Sequence, residues 1–391
     1  MVILFWASVF FILYTYFGYP LLTVLLARLT PKTKPYPQTF PFVTFLIAAY
    51  NEEKVIAEKI ENTLNLDYPP EKLQIIVAAD GTTDQTPEIV KKYSHLGVEL
   101  SYIPLRGGKM AAIVRAMSLA RGEIVIFSDA NNMYDAKAAK LLVAPFADRK
   151  VGATTGAKLI IEDGRNLSSA EGLYWKYESA IKKNETAFST CTASVGEIMA
   201  VRKEYFSAPQ ANIINDDRYM IFDLIRRGYN IVYVADARSY EYVSQSAKDE
   251  ITRRSRMNAG IYQTVAMSGK LLPFNRPLVL WQILSHKFFR AFIPYAMLAA
   301  LISNVILVLA AGGDNAQASR LMPPPLDRVL LLLQGLFYGM ALLGNIFKFN
   351  GVAGKILYLP TFLVNSNFAT VAGLYGFLTN KRSHIWKRVQ R

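Results

Sequence analysis

Three apolar runs of this sequence each stop on an acid. "FVTFLIAAY" leads into Glu52, "LQIIVAAD" closes on Asp80, and "VIFSDAN" delivers Asp129 with Asn131 two residues later. Further on, "IINDDRYMIFDLIRRGY" sets Asp216 and Asp217 side by side. Carboxylate and amide oxygens are the ligands a hard cation such as Mg2+ prefers, and a carboxylate poised near a hydroxyl can take its proton. The plain alternative for any one acid at a strand-to-helix turn is a helix N-cap, and Asp84 ahead of "QTPEIV" is read that way. A single cysteine, Cys191, rules out an internal disulfide framework or a cysteine-cluster metal site. The three histidines (His95, His286 and His384) are too scattered for a zinc site, so any metal must be held by oxygen.

Those acids need a frame. "LIAAY" and "VIFSD" are runs too apolar for a half-exposed strand and belong in a sheet covered on both faces. Between them lie helical stretches: "EEKVIAEKIENTLNL" with Val55, Ile56, Ile60 and Leu64 on one face, "TPEIVKKYSHL" with Pro87 in its first turn, and "KMAAIVRAMSLARG". "VELSYIP" supplies a further strand. Strand and helix alternating in this way describe a doubly wound α/β sheet with parallel strands. Ligands bind such sheets at the carboxyl ends of the strands, and that edge is where Glu52, Asp80 and Asp129 fall. No glycine-rich phosphate loop follows the first strand, so a diphosphate bound here must be neutralised by a cation or by basic side chains.

Around this middle lies membrane-like sequence. The chain has 391 residues, 52% of them hydrophobic, a mean hydropathy of +0.19 and a net charge of +14. Residues 1–27 carry no charge and are long enough to cross a bilayer, which predicts a retained anchor over 1–28 rather than a cleaved leader. The linker 29–40, with Lys32 and Lys34 among prolines just after Arg28, belongs on the cytoplasmic side by its charge. Residues 241–290 read as acceptor-side and interfacial helices, the last of them "PLVLWQILSHKFFR". Residues 291–391 hold about three further spans, near 291–311, 329–347 and 356–379, and a basic tail. Asn365, Ser366 and Asn367 in the last span predict a face turned to protein or to a polar path. Three crossings after a cytoplasmic middle would put the basic tail outside, against the positive-inside rule, unless one segment is re-entrant.

The ordered set "AAYNEE", "ADGTTDQT", "GGKMAAI", "SDAN", "GEIMAVRKEYF" and "NDDRYMIFDLIRRGY" resembles glycosyltransferase family 2 over roughly residues 40–290. These are inverting enzymes of GT-A fold, and the layout is similar to the membrane-embedded synthases of poly-N-acetylglucosamine, hyaluronan and cellulose. The resemblance implies a GT-A domain over 41–240, flanked by transmembrane helices. It implies that Ala48, Tyr50, Glu52 and Asp80 grip the nucleoside, with Thr82 where the family usually has Ser, and that Lys109 lies near the nucleotide. Asp129 and Asn131 would hold Mg2+ or Mn2+ on the diphosphate; Asn131 departs from the family's second carboxylate. Asp217 would be the base and Asp216 its neighbour, whereas the structural alternative has Asn215 and Asp216 merely capping a helix. The family's Q-x-x-R-W signature becomes Arg253-Arg254-Ser255-Arg256-Met257. Arg256 keeps the place that pairs with the diphosphate, and Arg253 and Met257 fall on the acceptor side. Met257 stands where a tryptophan would stack on a polymer's terminal sugar.

Together these features predict a multi-pass protein of the inner or plasma membrane with a cytoplasmic, metal-dependent glycosyltransferase domain. It would move a hexosyl or N-acetylhexosaminyl group from a UDP-sugar to a glycan or lipid-linked acceptor in cell-surface polysaccharide synthesis. A processive synthase that extrudes its polymer is the rival within enzymes, and a degenerate scaffold of an export complex the rival outside them. The layout leaves room for an oligomer or an export partner. The basic residues cluster beside membrane segments without an RNA-binding pattern, which excludes nucleic acid as the expected partner.

Overall fold

The computed structural model describes residues 1–31, 35–161, 166–210, 212–242, 247–310, 322–347 and 351–379. Lys32, Lys34 and the basic tail lie outside the described residues. The chain divides into two compact units.

One unit comprises Thr23–Ser246 and Gln263–Ile283. It is built on one eight-stranded sheet: β1 Val43–Ala49, β2 Leu73–Asp80, β3 Val98–Ile103, β4 Ile124–Asp129, β5 Met133–Tyr134, β6 Val151–Ile160, β7 Met199–Arg202 and β8 Asn230–Glu241. Their spatial order is β3-β2-β1-β4-β7-β6-β8-β5. The first four are parallel, as the alternation of strand and helix requires. Beyond β4 the sheet is mixed: β7 runs antiparallel to both β4 and β6, and β5 antiparallel to β8. All seven residues of β1 are buried, which is why it carries no polar alternation. Val43, Phe45 and Ile47 of β1 pack with Ile56 and Ile60 of the Ile56–Leu64 helix in the main core. Each such side chain contributes about 1.5–3 kcal/mol by leaving water.

Register aligns the strand ends. Ala48 pairs with Ala78 on one side and Asp129 on the other, so the ends of β1, β2 and β4 meet at one edge. At that edge the chain turns tightly. Gly81 sits at φ +58°, and a Cβ there would meet the Arg106 backbone at 2.8 Å. Glycine is the residue that both the dihedral and the close approach allow.

The other unit, Met1–Leu22, Ala247–Tyr262 and Leu284–Thr379, is helical. Val2–Leu29, Pro277–Ala310 and Leu326–Ile346 are each long and apolar enough to cross a membrane. The stretch read as interfacial forms the first part of the continuous helix Pro277–Ala310. A further helix, Gly351–Leu378, carries the polar triplet. Asn365 exchanges hydrogen bonds with Asn345, Ser366 accepts one from Arg254 at 3.2 Å, and Asn367 donates to the Tyr16 hydroxyl at 3.2 Å. The triplet is therefore turned to protein, where its amides find partners that hydrocarbon would deny them.

Candidate functional site

Asp80 ends β2 almost fully buried. Its Oδ1 accepts the Gly107 amide at 3.0 Å and its Oδ2 the Gly108 amide at 2.7 Å. It thereby pins the turn that starts the Lys109–Leu119 helix. Gly108 is at φ +92°, so a bare backbone meets the carboxylate. The same turn carries Arg106, whose guanidinium carbon stacks 3.7 Å from the centre of the Tyr50 ring. Ala48, Ala49 and Ala78 floor a small cavity beside this pair, with Asp80 and Lys109 at its polar wall. Small side chains and a flat cation-aromatic pair thus line one small cavity at the strand ends. Glu52 is buried, its amide donating to Thr86 Oγ1 at 2.8 Å. Thr82 is buried too, and its hydroxyl has no hydrogen-bond partner among the described residues. Asp84 accepts the Thr86 amide at 3.0 Å and so behaves as the expected cap.

At the end of β4, Asp129 Oδ1 accepts the Lys109 ammonium at 2.6 Å. Burial works against the charge of Lys109, but Asp129, Asp216 and Glu197 outweigh it and hold its pKa above the usual lysine range. Asp216 is pushed the other way. Burial, then the charges of Asp217 and Asp129, raise its carboxyl above the ordinary range, while Lys109 opposes them. Lys109, Asp129 and Asp216 thus form one electrostatic cluster drawn from three separate elements.

Asp216 and Asp217 occupy the first turn of the Asp216–Arg226 helix. Asn215 is the residue before that helix and makes no side-chain cap. Asp217 Oδ2 accepts the Ser194 hydroxyl at 2.9 Å. Behind it the chain passes closely: a Cβ on Gly196 would stand 3.0 Å from Asp217 Cβ. The hydrogen bond from Ser194 orients the Asp217 carboxylate, and only a glycine at 196 leaves it room.

Around Asn131 and the end of β4 stand three residues that the sequence does not mark, Glu241, Lys158 and Lys59. Asn131 donates its Nδ2 to Glu241 Oε1 at 3.1 Å. Glu241 in turn accepts Lys158, which also pairs with Glu197 at 2.5 Å. Trp175 lies over Lys158, with 5.4 Å from ammonium to ring centre. On the other side, Lys59 is fully buried between Phe45 and Tyr134 and donates to the Asn132 carbonyl at 2.5 Å. Burial lowers its pKa to about 7, Asp129 opposing. The quoted "GEIMAVRKEYF" motif contains Glu197, but nothing local marks Lys59, Lys158 or Glu241. Among the described residues, no three His, Cys, Asp or Glu side chains converge as a metal cage.

Arg253, Arg256 and Met257 lie on the Ala247–Ala266 helix, in its stretch belonging to the helical unit. There Arg253 Nη1 stands 3.8 Å from Met257 Sδ. Arg254 packs over Phe362 at 4.9 Å, so it is not a loose surface charge. Tyr262, one aromatic available to replace the missing tryptophan, is buried with its hydroxyl donating to the Ala291 carbonyl at 2.8 Å.

Residues 44–208 match the profile of the family described as glycosyl transferase family 2. Among curated proteins, the chain is 34% identical over 167 residues to a beta-monoglucosyldiacylglycerol synthase of Nostoc sp., covering 41% of this chain and 36% of that protein. It is 30% identical over 205 residues to a poly-beta-1,6-N-acetyl-D-glucosamine synthase of Staphylococcus aureus, covering 49% and 47%. A probable glycosyltransferase of Bacillus subtilis is 25% identical over 305 residues, covering 72% of this chain and 69% of its own. The matches thus span 36% and 47% of the length of the first two relatives. Among solved structures, a mannosyltransferase of Pyrobaculum calidifontis in complex with GDP-Man and Mn2+ superposes with a TM-score of 0.67 at 22% identity, covering 96% of this chain and 99% of that one. That likeness establishes the shared fold.

Proposed function

We propose, from the premise that residues 44–208 form a glycosyl transferase family 2 domain, that the protein is an inverting membrane glycosyltransferase using a nucleoside diphosphate sugar. The observation that carries this reading is the cluster of Lys109, Asp129 and Asp216, two helix starts meeting the end of β4, with Tyr50 and Arg106 stacked at the end of β1. The planar base would bind beside Tyr50 and Arg106, with UDP the donor that the resemblance implies. The acceptor would be a glycan or a lipid-linked sugar.

The donor set suits a hard divalent cation, since Asp129 and Asn131 offer only oxygen ligands and Lys109 already occupies the place of a positive charge. Asp129 and Asn131 would hold Mg2+ or Mn2+, which when bound neutralises the diphosphate as it leaves. The diphosphate would supply further oxygen ligands beside Asp129 and Asn131. Lys109 would pass from Asp129 to a phosphate oxygen. Asp217, oriented by Ser194, would take the proton of the acceptor hydroxyl as the sugar bond forms on the opposite face from the diphosphate.

The test is incubation of the full-length protein in detergent with a panel of UDP- and GDP-sugars and lipid acceptors. Wild-type protein should transfer one sugar class, and Asp217→Asn should lose about 10²- to 10⁴-fold in turnover with nucleotide affinity retained. Undiminished transfer by a folded Asp217→Asn variant would place the base elsewhere, and no transfer from any donor would refute the reading.

A further inference from the structure

We propose that Glu241 is a positioning residue that makes Asn131 an oxygen ligand. The inference rests on the metal-dependent reading above. An aspartate at position 131 could turn either oxygen to a cation, but an asparagine has one useful end and one harmful one. Its carbonyl oxygen can coordinate, whereas its NH2 group presents hydrogens that repel a dication. Something must therefore choose which end faces the site.

The structure assigns that choice to Glu241. Its Oε1 lies 3.1 Å from Asn131 Nδ2. An ionised carboxylate only accepts hydrogen bonds, so the end of Asn131 that meets it must be the donating NH2. The two ends of a planar amide point in different directions, and the carbonyl is left for the site. The other oxygen of Glu241 faces the Lys158 ammonium, which also pairs with Glu197, so both carboxylate oxygens of Glu241 meet donors. Glu241 is 2% exposed and the Lys158 side chain 4%, so water offers no alternative partner and the pair is not free to swing.

The fold places these groups by strand register. β8 lies between β6 and β5, with Met133 opposite Tyr240 and Ile160 opposite Glu241. The last residue of β8 thus comes beside the loop that follows β4. One residue of slippage in β8 would turn Glu241 to the other face of the sheet.

Glu241→Gln tests this, because Lys158 would claim the oxygen of the new amide and leave its NH2 facing Asn131, which must then flip. The readout is Mn2+ affinity of the full-length protein by calorimetry and Mn2+ electron resonance, with saturating UDP or GDP, whichever the wild type binds. The change should weaken Mn2+ about 10- to 100-fold, as loss of a ligand-orienting partner typically does. It should weaken Mn2+ at least as much as Asn131→Ala, since a misdirected NH2 is worse than no ligand. In an Asn131→Ala background, Glu241→Gln should have no further effect, which a merely structural role would not produce. A crystal of the wild type with Mn2+ and nucleotide, independent of how the variants fold, should show the Asn131 oxygen on the metal with its nitrogen still on Glu241. An unchanged Mn2+ affinity in Glu241→Gln, an equal loss in both backgrounds, or a metal not touched by Asn131 would overturn the proposal. Wild-type protein that binds nucleotide but no Mn2+ would instead remove the metal-dependent reading beneath it.

Discussion

A carboxylate and an amide two residues apart do different work here. Asp129 carries a charge that Lys109 balances at 2.6 Å, whereas Asn131 brings a neutral carbonyl. Asp129→Ala should therefore abolish metal-dependent nucleotide binding, while Asn131→Ala should only weaken it. Titration of Mn2+ against UDP binding checks this, and unaltered metal affinity in Asp129→Ala would make that acid structural. Lys109 also sets a proton affinity. Burial and the neighbouring acids raise the Asp216 carboxyl, and the positive charge of Lys109 lowers it. A raised carboxyl holds its proton to higher pH, so its ionised form is reached only above the ordinary carboxylate range. If transfer requires the acidic pair ionised, activity falls as pH drops through that raised value. Lys109→Met should shift the acid limb of the kcat/KM profile upward, and Lys109→Arg should leave it closer to the wild type. A limb that stays in place in Lys109→Met would show that the limiting group lies outside this cluster.

At the scale of elements, the loop from Asp129 to Tyr134 is held from below by the Ile56–Leu64 helix. Lys59 reaches from that helix to the Asn132 carbonyl, sealed between Phe45 and Tyr134. Its pKa is lowered to about 7 by burial, from an ordinary value of 10.5. Between those values the unfolded chain binds a proton that the folded chain has released. Stability from this group therefore rises with pH across that window, and below about 7 its burial penalty is felt in full. Lys59→Met should flatten the rise in unfolding free energy between neutral and alkaline pH, measured by urea titration at several pH values. An identical slope in wild type and Lys59→Met would assign the pH dependence to other groups. The positions of Asp80, Asp129 and the Asp216–Asp217 pair were legible in sequence because each is a local event, an apolar run or a helix start meeting an acid. Lys59 and Lys158 were not, because a lysine in a helix or strand reads as a solvated face until its neighbours are known.

At the scale of the whole molecule, the sheet unit and the helical unit frame the question of product. Met257 stands where the resembling synthases have an aromatic platform, and a thioether offers a softer, less oriented contact to a sugar ring. Short products or a single added sugar are expected from the wild type, and Met257→Trp should lengthen them. Product size at a low ratio of enzyme to acceptor is the measurement. Long polymer beside untouched acceptor from the wild type would defeat the expectation. Trp175, over Lys158 in the sheet unit, would then be the aromatic to examine, since the Tyr262 hydroxyl is already committed within the helical unit.

The amino-acid order alone is enough for the four parallel strands, the acids at their ends and the long apolar helices, because hydrophobic period and turn chemistry act over a few residues. It is silent on the mixed half of the sheet, since direction and register there depend on pairings between distant strands. It is silent for the same reason on what surrounds Asn131. The amide meets Glu241 across 110 residues of chain, and Lys158 meets Glu241 across 83. Which end of an asparagine faces a site is a property of its partner, and folding brings that partner to it.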